Sequence, residues 1–274
     1  MKILNGKKIA EKILTNLRNE IRKSKLKLTL AVIQIGENQI SQIFINQKKK
    51  AAERIGIDFK LFKFPLKISA KELRKEIEKI IKNPINSGVI IQLPLPEKFL
   101  PEEFLNLIPE KKDIDILSEK SLGKFYQGIS KVLPPTVQGI LYLLKEYKIS
   151  LLGKNVVVIG AGRLVGFPFA LQLLREKATV SILNEFSRDT PFFTKKADIL
   201  ISAVGWPNLI KGEMIKKGII IIDVGNSIRK GKLVGDIDFQ SVSKKVSYFT
   251  PVPGGVGPIT VACLFENLVK LNKN

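Results

Sequence analysis

The sequence predicts an α/β protein of two domains, and three observations carry that expectation. Strand-like apolar runs alternate with stretches of helical periodicity along most of the 274 residues, the pattern of a parallel sheet covered by helices. The rhythm breaks once, over residues 117–135, which are turn-rich and end in Pro134-Pro135. A chain of this length also suits about two domains, at roughly 100–200 residues each.

In chain order, residues 7–24 place Ile9, Ile13, Leu14, Leu17 and Ile21 at helical spacing among charges. Leu28–Ile35 reads as a buried strand ended by Gly36, followed by a helix from about Ser41 to Ile55 and a strand over Asp58–Phe64. Residues 70–82 carry Leu73, Ile77, Ile80 and Ile81 on one helical face, and the strand Gly88–Leu93 is stopped by Pro94 and Pro96. After the break, Thr136 is expected to cap a helix reaching about Tyr147. Strands then follow at Asn155–Ile159, Ala178–Leu183, Asp198–Ala203 and Ile219–Val224, with a short one near Val246–Phe249. The loop Pro251–Pro258 precedes a last amphipathic helix, Ile259–Leu271, in which Cys263 reads as packing.

Composition removes several classes of function. No run approaches the ~18 unbroken apolar residues of a membrane span. Met1–Lys8 leads into a charged helical pattern, unlike the apolar core of a signal peptide. One cysteine excludes a disulfide within the chain and a cysteine-cluster metal site, and the absence of histidine excludes His-based triads and imidazole ligands. The expectation is a cytoplasmic protein with no metal and no membrane partner. The formal net charge is +21, from 46 Lys+Arg against 25 Asp+Glu. A nucleic-acid binder would gather that charge into a patch with interleaved aromatics. Here the lysines are scattered and Lys48-Lys49-Lys50 is the one dense run, so a solvated basic surface that weakly attracts anions accounts for it better.

The most legible site is Val156–Gly166, a buried strand, a glycine turn and a helix start in the pattern G-x-G-x-x-x-G. Gly160 permits the tight turn, Gly162 lets backbone N–H groups approach a pyrophosphate, and Gly166 allows close helix–strand contact, as in a Rossmann-type dinucleotide site. A tight turn that binds nothing is the other reading. Glu185 follows the next strand, 25 positions after Gly160, where a carboxylate holds ribose hydroxyls and repels a 2′-phosphate, favouring NAD over NADP. A solvated loop glutamate, with Arg188 as a nearby compensating charge, fits as well.

In the first half, Phe44, Lys48, Ala51 and Ile55 share one helical face, which places Lys48 on the apolar stripe. Either its stem packs while the ammonium reaches water, or the amine is partly desolvated, and burial and the two adjacent cations lower its pKa enough for it to carry a proton. Gln92 closes an apolar strand, and Asp113 and Asp115 would point to one side if their segment is extended. A turn or cap explains each of these three residues equally well.

Taken together these segments resemble the bifunctional methylenetetrahydrofolate dehydrogenase/methenyltetrahydrofolate cyclohydrolase family over essentially the whole chain. The most specific pieces are Gln92-Leu93-Pro94-Leu95-Pro96 and Pro251–Val261, supported by Lys112–Asp115, Ala203–Gly205, Ile222–Gly225 and Gly235–Asp238 in the family's order. The resemblance implies two α/β domains flanking a cleft: a folate-binding catalytic domain over 1–130, completed by the C-terminal helix 259–274, and a Rossmann-type dinucleotide-binding domain over 131–258. It implies a folate substrate, an NAD(P) cofactor with NADP as the family's default, and a homodimer. Residue by residue, Lys48 matches the family's essential lysine, Gln92 the glutamine bonded to it, and Asp115 the aspartate that grips the pterin. Phe44, Pro253, Gly254 and Gly255 match folate-contacting positions, while Gly160, Ala161, Gly162, Glu185 and Asn226 match cofactor contacts.

Several positions depart from the family pattern. Phe44 stands where the family has a tyrosine, keeping the ring without the hydroxyl. Gly162 replaces a serine, Asn184-Glu185 replaces a His-Ser or His-Arg pair, Ile116 replaces a glycine, and Pro135 and Val137 alter a Pro-Cys-Thr-Pro segment. The expected activity is oxidation of 5,10-methylenetetrahydrofolate to the 5,10-methenyl form, then hydrolysis to 10-formyltetrahydrofolate, slowed by Phe44 but not abolished. The alternatives are a dehydrogenase with weak or absent cyclohydrolase activity, and a catalytically lapsed folate- or nucleic-acid-binding protein.

Overall fold

The structure is a computed structural model and describes residues 1–273. Its elements run β1 (Lys2–Ile3), α1 (Gly6–Ser24), β2 (Thr29–Ile35), α2 (Gln39–Ile55), β3 (Asp58–Phe64), α3 (Ala70–Lys82), β4 (Gly88–Ile91), α4 (Pro101–Leu105), a 3-10 turn (Glu110–Lys112) and α5 (Glu119–Gln127). They continue with α6 (Pro135–Glu146), β5 (Asn155–Ile159), α7 (Gly166–Arg175), β6 (Thr179–Leu183), α8 (Thr190–Thr194), β7 (Ile199–Ser202) and β8 (Ile220–Asp223). The last elements are β9 (Ser227–Arg229), β10 (Lys232–Val234), α9 (Phe239–Val242), β11 (Tyr248–Phe249) and α10 (Val256–Leu271).

The chain forms two compact units: Glu11–Pro135 with the chain from Val261 onward, and Met1–Ala10 with Thr136–Thr260. The first ten residues therefore leave the expected 1–130 segment. Their two-residue strand β1 pairs in parallel with β11, and Leu4 N–H donates to Phe249 O at 2.8 Å. So short a strand carries no period for sequence reading to detect.

The unit containing Glu11–Pro135 is built on a parallel sheet of order β3-β2-β4. β2 is central and buried along its whole length, which is why it reads as a largely apolar run. Ala31, Ile33, Ile35, Val89 and Ile91 pack from one face against Leu73, Ile77 and Ile80 of α3 and against Phe99 and Phe104. Helix α2 starts where Asn38 Oδ1 accepts the Ser41 N–H at 2.9 Å and stops at Gly56, which adopts φ +80. From α10, the Asn267 Nδ2 amide donates to Ile114 O at 2.9 Å and Leu133 O at 2.8 Å. Residues 117–135 are not the irregular stretch the sequence suggests, because they contain α5. That helix is capped by Ser118, ends at Gly128, and buries only Ser121 and Phe125, too few to print a periodic signal.

The other unit carries a six-stranded parallel sheet of order β1-β11-β8-β7-β5-β6. From β5 the chain moves outward to β6, then crosses back to β7 and β8, so the order reverses beside β5. The loops leaving β5 and β7 open at that switch point, where α/β sheets hold ligands. α6 begins at Pro135, so Thr136 lies inside the helix and is not its cap. β9 and β10 form an antiparallel hairpin around Lys230 and Gly231, both at positive φ, as two-residue hairpin turns require.

Candidate active site

Of the two alternatives for Lys48 on the apolar stripe of α2, the structure shows the buried amine. Lys48 is 8% exposed, and its Nζ donates to Gln92 Oε1 at 2.8 Å. Gln92 Nε2 donates to Leu93 O at 2.8 Å, and the same carbonyl accepts the Ser41 hydroxyl at 3.3 Å. A carbonyl cannot donate, so Leu93 O fixes the Gln92 amide with its NH₂ group inward and Oε1 toward the lysine. Oε1 in turn only accepts, so a neutral Lys48 must spend an N–H on it and direct its lone pair elsewhere. Phe44 lies one turn earlier on α2 and is half-buried; its ring offers the amine no hydrogen-bonding atom.

Burial holds the Lys48 pKa below its ordinary value, and the charge of Asp115 opposes that shift. Asp115 is enclosed by protein while part of its surface stays open, and burial raises its pKa against the pull of Lys48, with Asp113 adding to the rise. Burial thus biases both groups toward their neutral forms. Lys49 and Lys50 do not assist, contrary to the expectation from sequence. Both point to solvent, where Lys49 lies 4.0 Å from Glu53 and screening weakens any longer-range effect.

The two aspartates after the 3-10 turn have separate tasks. Asp113 is buried and accepts the N–H groups of Leu117 and Ser118 at 3.2 and 2.9 Å, so it shapes the loop. That loop leaves Asp115 to act on Lys48. Between them and α5, Ile116 adopts φ +58, the left-handed region that suits glycine and strains a β-branched residue. Lys112 closes the C-terminal end of α3, donating to Ile81 O at 2.6 Å and Asn83 O at 3.0 Å.

The dinucleotide turn lies in the other unit, after β5. Gly160 has φ +97 and a Cβ there would come 2.6 Å from Ala203 O, while a Cβ at Gly166 would overlap the Gly160 carbonyl. Gly162 differs: nothing lies within 4 Å of where its Cβ would be, and Ala161 beside it is exposed. Helix α7 starts only at Gly166, so the first free N–H groups of the helix come later than Gly162. A turn that admits no side chain at its base and leaves space above it fits a dinucleotide phosphate.

The neighbouring loop is held by a carboxylate. Asp236 accepts the N–H groups of Val204, Gly205 and Trp206, each at 2.8 Å, and the Ser202 hydroxyl at 2.7 Å. Asp223 accepts from Gly225, Asp236 and Ile237 at 3.0–3.1 Å, and burial followed by the Asp236 charge pushes its carboxyl up to about 7. This pair fixes the segment that carries Asn226, whose Nδ2 donates to Val224 O at 3.0 Å. Glu185 is exposed in the turn after β6, as is Arg188. Pro253 is exposed, whereas Gly254 and Gly255 are buried; Gly254 has φ +111 and its carbonyl accepts the Gly6 N–H at 3.0 Å.

Lys48, Gln92 and Asp115 are therefore brought together in one unit. Gly160, Ala161, Gly162, Glu185, Asn226 and Pro253–Gly255 belong to the other. Gln34 is a buried glutamine in β2, and its only signal in the sequence is a lone amide in an apolar strand. Among the described residues no helix is long and apolar enough to cross a membrane, and no group of acidic or cysteine side chains could hold a metal.

Comparison with known proteins identifies the family. The family described as tetrahydrofolate dehydrogenase/cyclohydrolase, catalytic domain, matches residues 4–115, and its NAD(P)-binding domain matches residues 134–274. The bifunctional protein FolD of Nautilia profundicola is 43% identical, covering 100% of this chain and 98% of the relative. The crystal structure of the FolD methylenetetrahydrofolate dehydrogenase/cyclohydrolase from Campylobacter jejuni is similar at TM-score 0.93 and 39% identity, over 99% and 98% of the two chains. That of the Trypanosoma brucei enzyme, complexed with NADP cofactor and inhibitor, is similar at 0.91 and 31%, over 97% and 95%. With both domain families matched and the likeness running the length of the chain, this protein belongs to the tetrahydrofolate dehydrogenase/cyclohydrolase family.

Proposed function

We propose that the chain oxidises 5,10-methylenetetrahydrofolate to 5,10-methenyltetrahydrofolate with a nicotinamide dinucleotide and hydrolyses that product to 10-formyltetrahydrofolate. The observation that carries the hydrolytic half is the 2.8 Å contact from buried Lys48 to Gln92, with Asp115 facing the same amine. In hydrolysis, water adds to the methenyl carbon and the bond from that carbon to the ring nitrogen breaks. One water proton ends on the departing nitrogen and the other is released. Lys48 is the proton carrier: burial favours its neutral amine, and Gln92 fixes the direction of its lone pair. Such a carrier is worth roughly 10²–10⁴ in rate. Asp115 accepts hydrogen bonds from the pterin edge, and Phe44 bounds the folate.

A bound nicotinamide supplies the hydride acceptor for the oxidation. Gly160, Ala161 and Gly162 would hold its pyrophosphate, the loop fixed by Asp236 would flank it, and Asn226 would contact it. Oxidation needs little acid–base help, so the residues serve it by positioning. Glu185 favours NAD over NADP, because a carboxylate at that place repels a 2′-phosphate. On the family likeness, the reading extends to a homodimer in the cytoplasm.

The deciding experiment follows methenyl absorbance during turnover of methylenetetrahydrofolate by the wild type and Lys48→Met. The variant is expected to keep forming the methenyl product and to accumulate it, with hydrolysis slowed at least 100-fold. Equal hydrolysis by both proteins would remove Lys48 from the reaction. The missing hydroxyl of Phe44 favours a second reading, a dehydrogenase whose hydrolysis is already weak, and accumulation of methenyl product by the wild type would select it.

A further inference from the structure

Gln34 sits near the C-terminal end of β2 at 3% exposure, and its Oε1 is fully buried with no hydrogen-bond partner among the described residues. A buried amide left this way destabilises the fold and calls for a reason. Register supplies one. Ile33 pairs with Ile91, where β4 ends, and the Gln92 N–H still donates to Ile33 O at 2.9 Å, so one further step of that register sets Gln34 beside Gln92. In a parallel pair, residues at one register position project from the same face, with strands about 4.8 Å apart. The opposite face is taken by Ala31, Ile33, Ile35, Val89 and Ile91 of the core. On that register Gln34 and Gln92 project from the same face, and Lys48 of α2 bonds to Gln92.

The supply of acceptors on that face is short. A protonated Lys48 presents three N–H donors; Gln92 Oε1 takes one, and Phe44 can take none. The charged groups facing the amine reduce to Asp115, on which Asp113 acts in turn, since Lys49 and Lys50 are turned to solvent. We propose that Gln34 is a positioning residue of this site, whose Oε1 accepts a hydrogen bond from the Lys48 ammonium formed when the amine takes up a proton. The unpaired acceptor at rest is then the cost of a contact made only during turnover, a pattern expected where activity and stability compete. This inference rests on the assignment of Lys48 as the proton carrier.

The test is the pH dependence of hydrolysis in wild type, Gln34→Met and Gln34→Glu, measured beside the dehydrogenase rate and the melting temperature of each. Gln34→Met keeps the bulk and removes the acceptor. It should lower hydrolysis about tenfold relative to oxidation, move the ascending limb of the pH profile to lower pH, and leave the melting temperature unchanged or raised. Gln34→Glu should move the limb the opposite way. An unchanged limb in both variants, or a parallel fall of both activities with a lower melting temperature, would overturn the proposal and make Gln34 structural. Absence of hydrolysis in the wild type at every pH would instead overturn the functional reading, and this inference with it.

Discussion

At Lys48 the proposed mechanism asks two things of one side chain, that it be buried and that it exchange a proton. Burial favours the neutral amine, while Asp115 restores part of the stability of the charged form. Gln92 adds direction, and it can do so only because Leu93 O fixes its amide. On the proposed reading, cofactor choice turns on Glu185. It is exposed, so it is free to meet a ribose, and Glu185→Ser should raise the ratio of kcat/KM for NADP over NAD by about tenfold or more. Steady-state kinetics with both dinucleotides measure that ratio, and an unmoved ratio would show that another residue sets the preference.

Among the elements, α2 and α10 do most to position the site. α2 presents Ser41 and Lys48 on one buried stripe, and α10 ties the loop after the 3-10 turn through Asn267. Asn267→Ala would strip the donor from two carbonyls, and urea unfolding should show a loss of about 2–4 kcal/mol. A loss under 0.5 kcal/mol would mean the loop does not depend on that tie. The strands that build both sheets were legible because buried parallel strands print apolar runs, as in Thr29–Ile35 and Asn155–Ile159. Lys48 was legible as an anomaly, a cation on an apolar stripe. What stayed hidden had no local signal. β1 is two residues paired with a strand 246 positions later, and α5 buries too little to show a face. The role of Asp236 lies in backbone groups some 30 positions earlier in the chain. The alternation of Asp113 and Asp115 suggested a shared direction, but the bend that closes on Asp113 gives them different partners.

At the scale of the whole molecule, stability and chemistry both carry a pH signature, with distinct origins. Asp223 is raised by burial to about 7 from an ordinary 3.8. Its folded form keeps a proton that the unfolded chain has released, so its contribution is complete below about pH 4 and is lost as pH rises through about 7. Relative to Asp223→Asn, the wild-type urea midpoint should therefore fall between about pH 4 and 7 and run parallel above it. A difference that grows with pH would reverse the assignment. The net charge of +21 is spread widely, which suits attraction of anionic substrates in general more than a defined nucleic-acid surface. The central claim is that the Lys48 amine is neutral often enough to take a proton during hydrolysis. The most direct measurement is the pH profile of methenyltetrahydrofolate hydrolysis under saturating substrate. The rate should climb to a plateau with a midpoint below the ordinary lysine value of 10.5, and Lys48→Met should abolish that climb. A midpoint at the ordinary lysine value, or the same climb in the variant, would contradict it.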